Sequence, residues 1–190
     1  MHTMFNRDFG KEMIVLNPGE FTAVKEDVVL STLLGSCVAA CLYDTEKRII
    51  GMNHFMLVSK LDNPEKFFMQ KEGRYALHAM ELLINEMMKK GAKKENLKAK
   101  AFGGANTNKG LRMSGIPETN VDFIKSFLKG EGIKLVASDF GGNRGRKIFF
   151  FNDNDFTVLQ RRFMTEESVT VMKVEDHYLQ RQRTIIRQEE

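Results

Sequence analysis

The stretch LLGSCVAACLYDTEKRIIGMNHFML, residues 33–57, decides the first half of the fold. It contains two apolar runs, Val38 to Tyr43 and Ile49 to Leu57, and the polar residues between them are typical of a tight turn. The pattern predicts an antiparallel β-hairpin. A cysteine, Cys37, stands just before the first strand, and a histidine, His54, lies within the second.

The register of this hairpin determines whether the two side chains meet. A turn centred between Thr45 and Glu46 pairs Cys37 directly with His54, which brings their Cβ atoms to about 4.5 to 5.5 Å. A slip of one residue would send them to opposite faces of the sheet. We therefore expect a thiol and an imidazole within reach of each other, on condition of this register.

A thiol beside an imidazole is the minimal pair for nucleophilic catalysis. His54 would take the proton, and the thiolate of Cys37 would attack an acyl carbon. Gly35 and Ser36 precede the cysteine, and their backbone N–H groups are candidates for an oxyanion hole. A third group should orient the imidazole, and Ser31 and Thr32 are close enough in sequence to do so.

Two other interpretations of the pair stay open at this point. Cysteine is among the most buried residue types, and a histidine on an apolar strand is commonly a hydrogen-bonded core residue. A metal site would recruit Cys41 or His78 beside Cys37 and His54. However, strand spacing separates the two thiols by roughly 13 Å, too far for one ion or for a disulfide. We expect no metal and no cofactor.

Length and composition predict one globular domain. The chain has 190 residues, 42% of them hydrophobic, which is enough to close a core. It has no apolar run of ~18 to 20 residues, and its N-terminus lacks the layout of a signal peptide. We therefore expect a cytoplasmic protein without membrane insertion.

Positive charge is concentrated between Lys89 and Arg112, where eight cations accompany Glu95 alone. A nucleic-acid site would combine such a cluster with a reading element or with stacking aromatic residues, and the cluster has neither. We expect no nucleic-acid partner.

The remaining periodicities predict an α+β fold with mixed β-sheets, or a β-sandwich, flanked by two or three helices. The first sixty residues are rich in short strands. Helices are predicted at Gly73 to Lys90, at about Pro117 to Lys129 and at Glu166 to Gln188. The segment GIKLVASDFGGNRGRKIFFFND, residues 132–153, predicts two strands joined by a glycine-rich turn.

Two glycine-rich stretches, FGGANTNKG at 102–110 and GGNRGRK at 141–147, do not match phosphate-binding motifs. Tight turns beside a site are the simpler interpretation. Gly103, Gly104 and Asn106 are then candidates to line the site or to stabilise an oxyanion. Arg144 and Arg146 are weaker candidates for lining residues.

In their order and spacing, four segments of the chain resemble the CheD family of bacterial chemoreceptor glutamine deamidases: STLLGSCVAACLYD, IIGMNHFML, FGGAN and GGNRGRKIFF. The resemblance spans about residues 13–151. It implies hydrolysis of glutamine side-chain amides on methyl-accepting chemotaxis receptors, with release of ammonia through a thioester. By position it implies Cys37 as nucleophile, His54 as base and Ser31 as the third member, with Thr32 as the alternative.

The resemblance also carries expectations about fold and partners. It implies a core similar to the cysteine hydrolase fold of cytotoxic necrotizing factors and a partner surface for the CheC phosphatase. We expect a catalytic domain at 1–154 and an amphipathic, charged extension at 155–190. The alternatives are a non-catalytic adaptor that binds CheC, and a metal-dependent enzyme resembling the YfiH family.

Overall fold

The computed structural model describes residues 1–57, 71–107, 115–163 and 165–188. Two mixed five-stranded sheets and three helices make up this part of the chain. The strands are β1 (His2–Asn6), β2 (Lys11–Leu16), β3 (Phe21–Val24), β4 (Val29–Leu34), β5 (Val38–Asp44), β6 (Ile49–Asn53), β7 (Leu97–Gly103), β8 (Lys134–Phe140), β9 (Arg146–Phe151) and β10 (Val158–Arg162). The helices are α1 (Lys71–Lys89), α2 (Ile116–Gly130) and α3 (Thr165–Gln188), and a 3₁₀ turn spans Lys94–Asn96.

The two sheets face each other as a sandwich. The first has the order β1-β2-β4-β9-β10 and the second the order β3-β6-β5-β7-β8. Within them β2 pairs with β4 and β7 pairs with β8 in parallel, and the other pairs are antiparallel. The α+β class with mixed sheets and three helices is confirmed.

Strand β5 is buried along its whole length because both of its faces are covered. Cys37 before the strand, and Ala39 and Cys41 within it, pack into the core between the sheets. Ala40 and Leu42 point the other way, into a second core formed with α1 and α2. Burial on both faces explains why this segment reads as an unbroken apolar run rather than an alternating one.

The predicted hairpin forms, but in a different register. Cys41 pairs with Met52, and an isolated bridge joins Val38 to Phe55, so the turn is centred one residue later than predicted. Cys37 and His54 are therefore diagonal neighbours and not a directly opposed pair. Moving the turn by one residue changes the partner of each strand residue by two positions. A shift of two positions keeps the side chains of Cys37 and His54 on the same face of the sheet.

The three predicted helices are confirmed within one or two residues at the ends that the structure describes. Strands β1 and β10 were not predicted. Both are edge strands whose residues are mostly exposed, so they carry no buried apolar period. Because β10 pairs with β9, the first sheet continues past residue 154, the expected end of the domain.

None of the helices in the described ranges combines the length and the apolarity that a membrane crossing requires. Of the basic cluster, residues 108–112 lie outside the described residues, as does the end of the stretch FGGANTNKG.

Arg146 is a structural residue of the crossover from β8 to β9. Its side chain is fully buried and forms an ion pair with Asp139 at 2.8 Å. It also donates to the backbone carbonyl groups of Asp139 and Gly141. Arg144 donates to the carbonyl of Phe163 at 2.7 Å. The two arginines therefore hold the glycine-rich turn, whereas the sequence suggested that they line a site.

We predict that Arg146→Ala lowers the free energy of unfolding by about 3 kcal/mol, because it leaves two backbone carbonyl groups without their donor and removes one partner of the Asp139 carboxylate, which keeps Arg162 and Gln160. Urea denaturation followed by circular dichroism measures the change. Lys134→Ala, an exposed cation on the neighbouring strand, is the control and should stay within about 0.5 kcal/mol of the unmodified protein. Equal losses in the two variants would contradict the assignment.

Candidate active site

Residues Gly35, Ser36 and Cys37 carry the chain from the first sheet to the second. Strand β4 ends at Leu34 in one sheet and β5 begins at Val38 in the other. Three successive backbone N–H groups are thus left out of both ladders and need other acceptors. They point to one spot, which makes this loop a concave set of donors suited to an anion.

Glu175 of α3 supplies the acceptors. Its Oε1 accepts hydrogen bonds from the N–H of Gly35 at 2.9 Å and from the N–H of Cys37 at 3.1 Å. Its Oε2 accepts from the N–H of Ser36 at 3.0 Å and from the Ser36 hydroxyl at 2.8 Å. The carboxylate is completely buried. Gly35 is required here because a Cβ at that position would stand 2.7 Å from Glu175 Oε2.

Sequence analysis missed Glu175. A signal was present, since Val171, Glu175 and Leu179 follow one another at steps of four along α3 and all three are buried. A charged residue in the middle of an apolar helical stripe marks a buried charge that needs dedicated partners. The sequence does not show where those partners lie.

The back of the loop is held by the stretch that follows β7. The N–H of Gly104 donates to the carbonyl of Cys37 at 2.8 Å, and the N–H of Ala105 donates to the carbonyl of Gly35 at 2.7 Å. Gly103 has a φ of +124°, and a Cβ there would stand 2.1 Å from the Cys37 carbonyl oxygen. Gly103 and Gly104 therefore fix the direction of the loop, and a role in lining the site or stabilising an oxyanion stays a prediction.

Two amide side chains lie around the same loop. Asn106, expected to line the site, donates instead to Glu118 on α2 at 3.0 Å. Asn120, which the sequence did not single out, is fully buried and donates to the carbonyl of Ser36 at 3.0 Å. Its Oδ1 accepts from the N–H of Leu57 at 2.8 Å. Asn120 thus ties the loop to the segment after His54.

His54 follows β6 and points into the space between the sheets, where it meets Thr32 of the opposite sheet. The Thr32 hydroxyl lies 2.7 Å from His54 Nδ1 and 2.8 Å from the carbonyl oxygen of Leu16. A hydroxyl has one proton, and the Leu16 carbonyl can only accept it. Thr32 therefore donates to Leu16 and accepts from Nδ1–H, which leaves the lone pair on Nε2.

The tautomer leaves Nε2 free to act as a base. Among the described residues it has no hydrogen-bond partner. The Cys37 sulfur, a His54 ring nitrogen and a Glu175 oxygen all lie within 4.8 Å of one another. The expected thiol and imidazole are therefore together in the structure, on one face and in one buried space.

Ser31 and Thr32 point to opposite faces of β4, as neighbours on a strand must. Thr32 lies on the inner face with Leu30 and Leu34, which pack in the core between the sheets. The Ser31 hydroxyl is buried and has no hydrogen-bond partner within the described part of the chain. The geometry thus places Thr32 at the imidazole, whereas the position inferred from the resemblance was Ser31.

Burial keeps both members of the pair neutral in this conformation. It raises the pKa of the Cys37 thiol well above its usual value, and the nearby Glu175 carboxylate raises it further. Burial also lowers the pKa of His54 to about 3. The pair at rest is therefore a thiol and a neutral imidazole, not a thiolate and an imidazolium.

Cys37, His54 and Glu175 are also close enough to be considered as metal ligands. The chemistry around Glu175 argues against this, because both of its oxygens already accept hydrogen bonds and three of the four donors are backbone amides. Such a loop favours an anion and not a cation. Cys41 is two residue pairs further along the ladder from His54, and His78 is exposed on α1. Neither extends the set.

We predict that the protein loses stability as the pH falls from about 6.5 towards 4, in part because of His54. Its pKa is about 3 when folded and near 6.5 when unfolded, so the unfolded chain binds the extra proton in this range. The loss from this group is about 3 kcal/mol.

Urea unfolding measures the free energy of unfolding of the unmodified protein and of His54→Gln across this pH range. The difference between the two proteins isolates the contribution of His54, because the carboxylates contribute equally to both. His78→Gln, at an exposed position, is the matched control. The stability of the His54 variant should depend less on pH, and identical slopes in all three proteins would contradict the prediction.

Comparison with known proteins identifies the family of the chain. Residues 56–162 match the family model described as CheD chemotactic sensory transduction. A probable chemoreceptor glutamine deamidase CheD 1 from Geobacter sulfurreducens is 43% identical over 169 residues, covering 86% of this chain and 84% of the relative. A probable chemoreceptor glutamine deamidase CheD from Laribacter hongkongensis is 40% identical over 181 residues, covering 95% of this chain and 87% of the relative. The resemblance seen in the sequence is confirmed, and the chain belongs to the CheD family.

Proposed function

We propose that this protein is a chemoreceptor glutamine deamidase that converts specific glutamine side chains of methyl-accepting chemotaxis receptors to glutamate. The relatives carry this activity in their names. The observation that carries the proposal is the meeting of three elements at one point: a thiol, an imidazole with an open Nε2 and three converging backbone amides.

The first half of the reaction transfers the acyl group to sulfur. His54 Nε2 takes the proton of the Cys37 thiol, and the sulfur attacks the amide carbon of the substrate glutamine. The carbonyl oxygen becomes an oxyanion where the amides of the Gly35–Cys37 loop can bind it. The C–N bond then breaks, the imidazolium gives its proton to the nitrogen, and ammonia leaves a thioester behind.

The second half hydrolyses the thioester. His54 removes a proton from water, the hydroxide attacks the thioester carbon, and the same loop holds the second oxyanion. The C–S bond breaks, and the sulfur recovers its proton from the imidazolium. The sum of the two halves is amide plus water to carboxylic acid plus ammonia, with the enzyme unchanged.

Thr32 is a positioning residue in this scheme. Its bond to Nδ1–H holds the imidazole in the tautomer whose Nε2 can accept the thiol proton. The hydroxyl reaches across from the other sheet, so it also ties the imidazole ring to the first sheet.

We predict that Cys37→Ser abolishes deamidation and that His54→Ala lowers the rate by about 10² to 10⁴, the usual contribution of a positioned base. The assay incubates each protein with a cytoplasmic chemoreceptor fragment and follows ammonia release and the mass change from amide to acid. Cys41→Ala, the other buried thiol, is the control and should retain activity. Deamidation by the Cys37 variant would rule out the nucleophile.

We also predict that Thr32→Val lowers the turnover rate by about 10- to 100-fold, the effect typical of losing a group that orients a histidine. Thr32→Ser keeps the hydroxyl and should recover most of the rate. Ser31→Ala is the matched control on the opposite face of the strand and should be close to the unmodified protein. The reverse ranking would assign the third position to Ser31.

The CheC phosphatase implied by the resemblance stays a prediction, and so does a role as an adaptor. Calorimetric titration with CheC tests the first. For the second, a Cys37→Ser protein that binds CheC and still supports normal receptor signalling would favour the adaptor over the enzyme.

A further inference from the structure

The candidate active site is closed in this structure, and α3 closes it. Cys37 is 0% exposed and His54 is 2% exposed. A small cavity of about 80 Å³ beside His54 is bordered on one side by Thr170, Val171, Val174 and Glu175 of α3. No protein side chain can enter here while α3 stays in place. If the proposed function holds, the helix must move for every turnover on a receptor.

The contact between α3 and the body is narrow and has a charge in its centre. Across residues 169–185 the buried positions are Val171, Glu175 and Leu179, one per helical turn, and the half-buried Tyr178 packs against the core between the sheets. A buried carboxylate costs desolvation energy that only its hydrogen bonds offset. A helix that served simply to cover the core would carry an apolar residue at the middle position. The carboxylate indicates that α3 docks by occupying a binding site.

The position of that carboxylate corresponds to a reaction product. Glutamate is what deamidation of glutamine leaves, and Glu175 holds its carboxyl group on the loop amides within 4.8 Å of the Cys37 sulfur. A glutamine in the same place would set its carbonyl oxygen on the amides of Gly35 and Cys37. Its nitrogen would face the Ser36 hydroxyl, which can accept as well as donate, and the Ser36 N–H, which can only donate, so this place fits the product carboxylate better than the substrate amide.

We propose that α3 is an intramolecular product mimic: Glu175 occupies the place of the glutamate formed by the proposed reaction, and α3 lies where a receptor helix presents its glutamine. The inference rests on the proposed function and adds a mode of regulation to it. The resting enzyme is inhibited by its own C-terminal helix until a substrate or partner displaces it.

Catalysis then depends on the fraction of molecules in which α3 is displaced, because only those molecules admit substrate. Withdrawal of Glu175 has a second effect. The carboxylate is one of the groups that raise the pKa of Cys37, so its departure makes the thiol easier to ionise as well as easier to reach. Both effects increase the reactivity of Cys37, and both disappear when α3 docks again.

The first test measures the reactivity of Cys37 with iodoacetamide in full-length protein. A Cys41→Ala background leaves Cys37 as the one thiol. Glu175→Ala should be alkylated at least ~10-fold faster than the parent, because it loses the charge-assisted hydrogen bonds that hold α3 down. Lys173→Gln, a charge change at an exposed position two residues before Glu175 on α3, is the control and should match the parent.

A second variant keeps the test decisive if substitution of Glu175 prevents folding. Leu179→Ala keeps the carboxylate and removes an apolar contact one turn away, and it should also speed alkylation. Circular dichroism and thermal unfolding verify that each variant is folded. Folded variants at both positions with parental alkylation rates would overturn the proposal.

The third test asks whether position 175 is the product position. Glu175→Gln places an amide beside the thiol at high effective concentration, so the enzyme should deamidate itself and peptide mass spectrometry should find glutamate at position 175. The double variant Glu175→Gln with Cys37→Ser should keep its glutamine. A glutamine that persists at this position in a Glu175→Gln protein active on receptor fragments would refute the product mimic.

Failure of this proposal is distinguishable from failure of the proposed function. If the variants expose Cys37 but no protein in the series deamidates a receptor fragment, the function fails and occlusion by α3 stands. If the unmodified protein deamidates the fragment as fast as Glu175→Ala does and its Cys37 is equally reactive, the function stands and the inhibitory role of α3 fails.

Discussion

The crossing of the chain from one sheet to the other at Gly35–Cys37 is the constraint on which the site depends. A strand that leaves its sheet and enters another must free the amides of the connecting residues, and buried amides need acceptors. Here three of them converge, with their carbonyl groups held from behind by the Gly103–Ala105 backbone and by Asn120. Cys37, the proposed nucleophile, is the last residue of this crossing, so its sulfur and the three converging amides are positioned by one piece of backbone.

The sandwich supplies the rest of the arrangement. His54 belongs to the second sheet and Thr32 to the first, and their hydrogen bond spans the space between them. The packing of the two sheets therefore sets the distance between Thr32 and His54, and the choice of tautomer follows from the Leu16 carbonyl. A rigid core with the reactive groups on its inner faces keeps the geometry constant, and it also hides that geometry from substrate.

Burial of Cys37 and His54 has an electrostatic consequence. The same burial that orders the pair also holds it in the neutral form, and a carboxylate beside the thiol reinforces this. Water and substrate amide entering in place of α3 would change the surroundings of the sulfur at the moment when a thiolate is needed. On the proposed function, access and activation are one event, governed by a helix attached through Val171, Glu175 and Leu179.

Local pattern determined the strands of the hairpin, the three helices and the shared face of Cys37 and His54, because strand and helix periods are properties of neighbouring residues. The predicted register of the hairpin was wrong by two residues, but a shift of two residues preserves which face of the sheet each residue occupies. Only the tertiary structure decided between Ser31 and Thr32, turned Gly103 and Gly104 into supports, and delivered Glu175 to amides 138 to 140 residues away. Those contacts join different sheets or distant segments, and they arise from packing that no local spacing encodes.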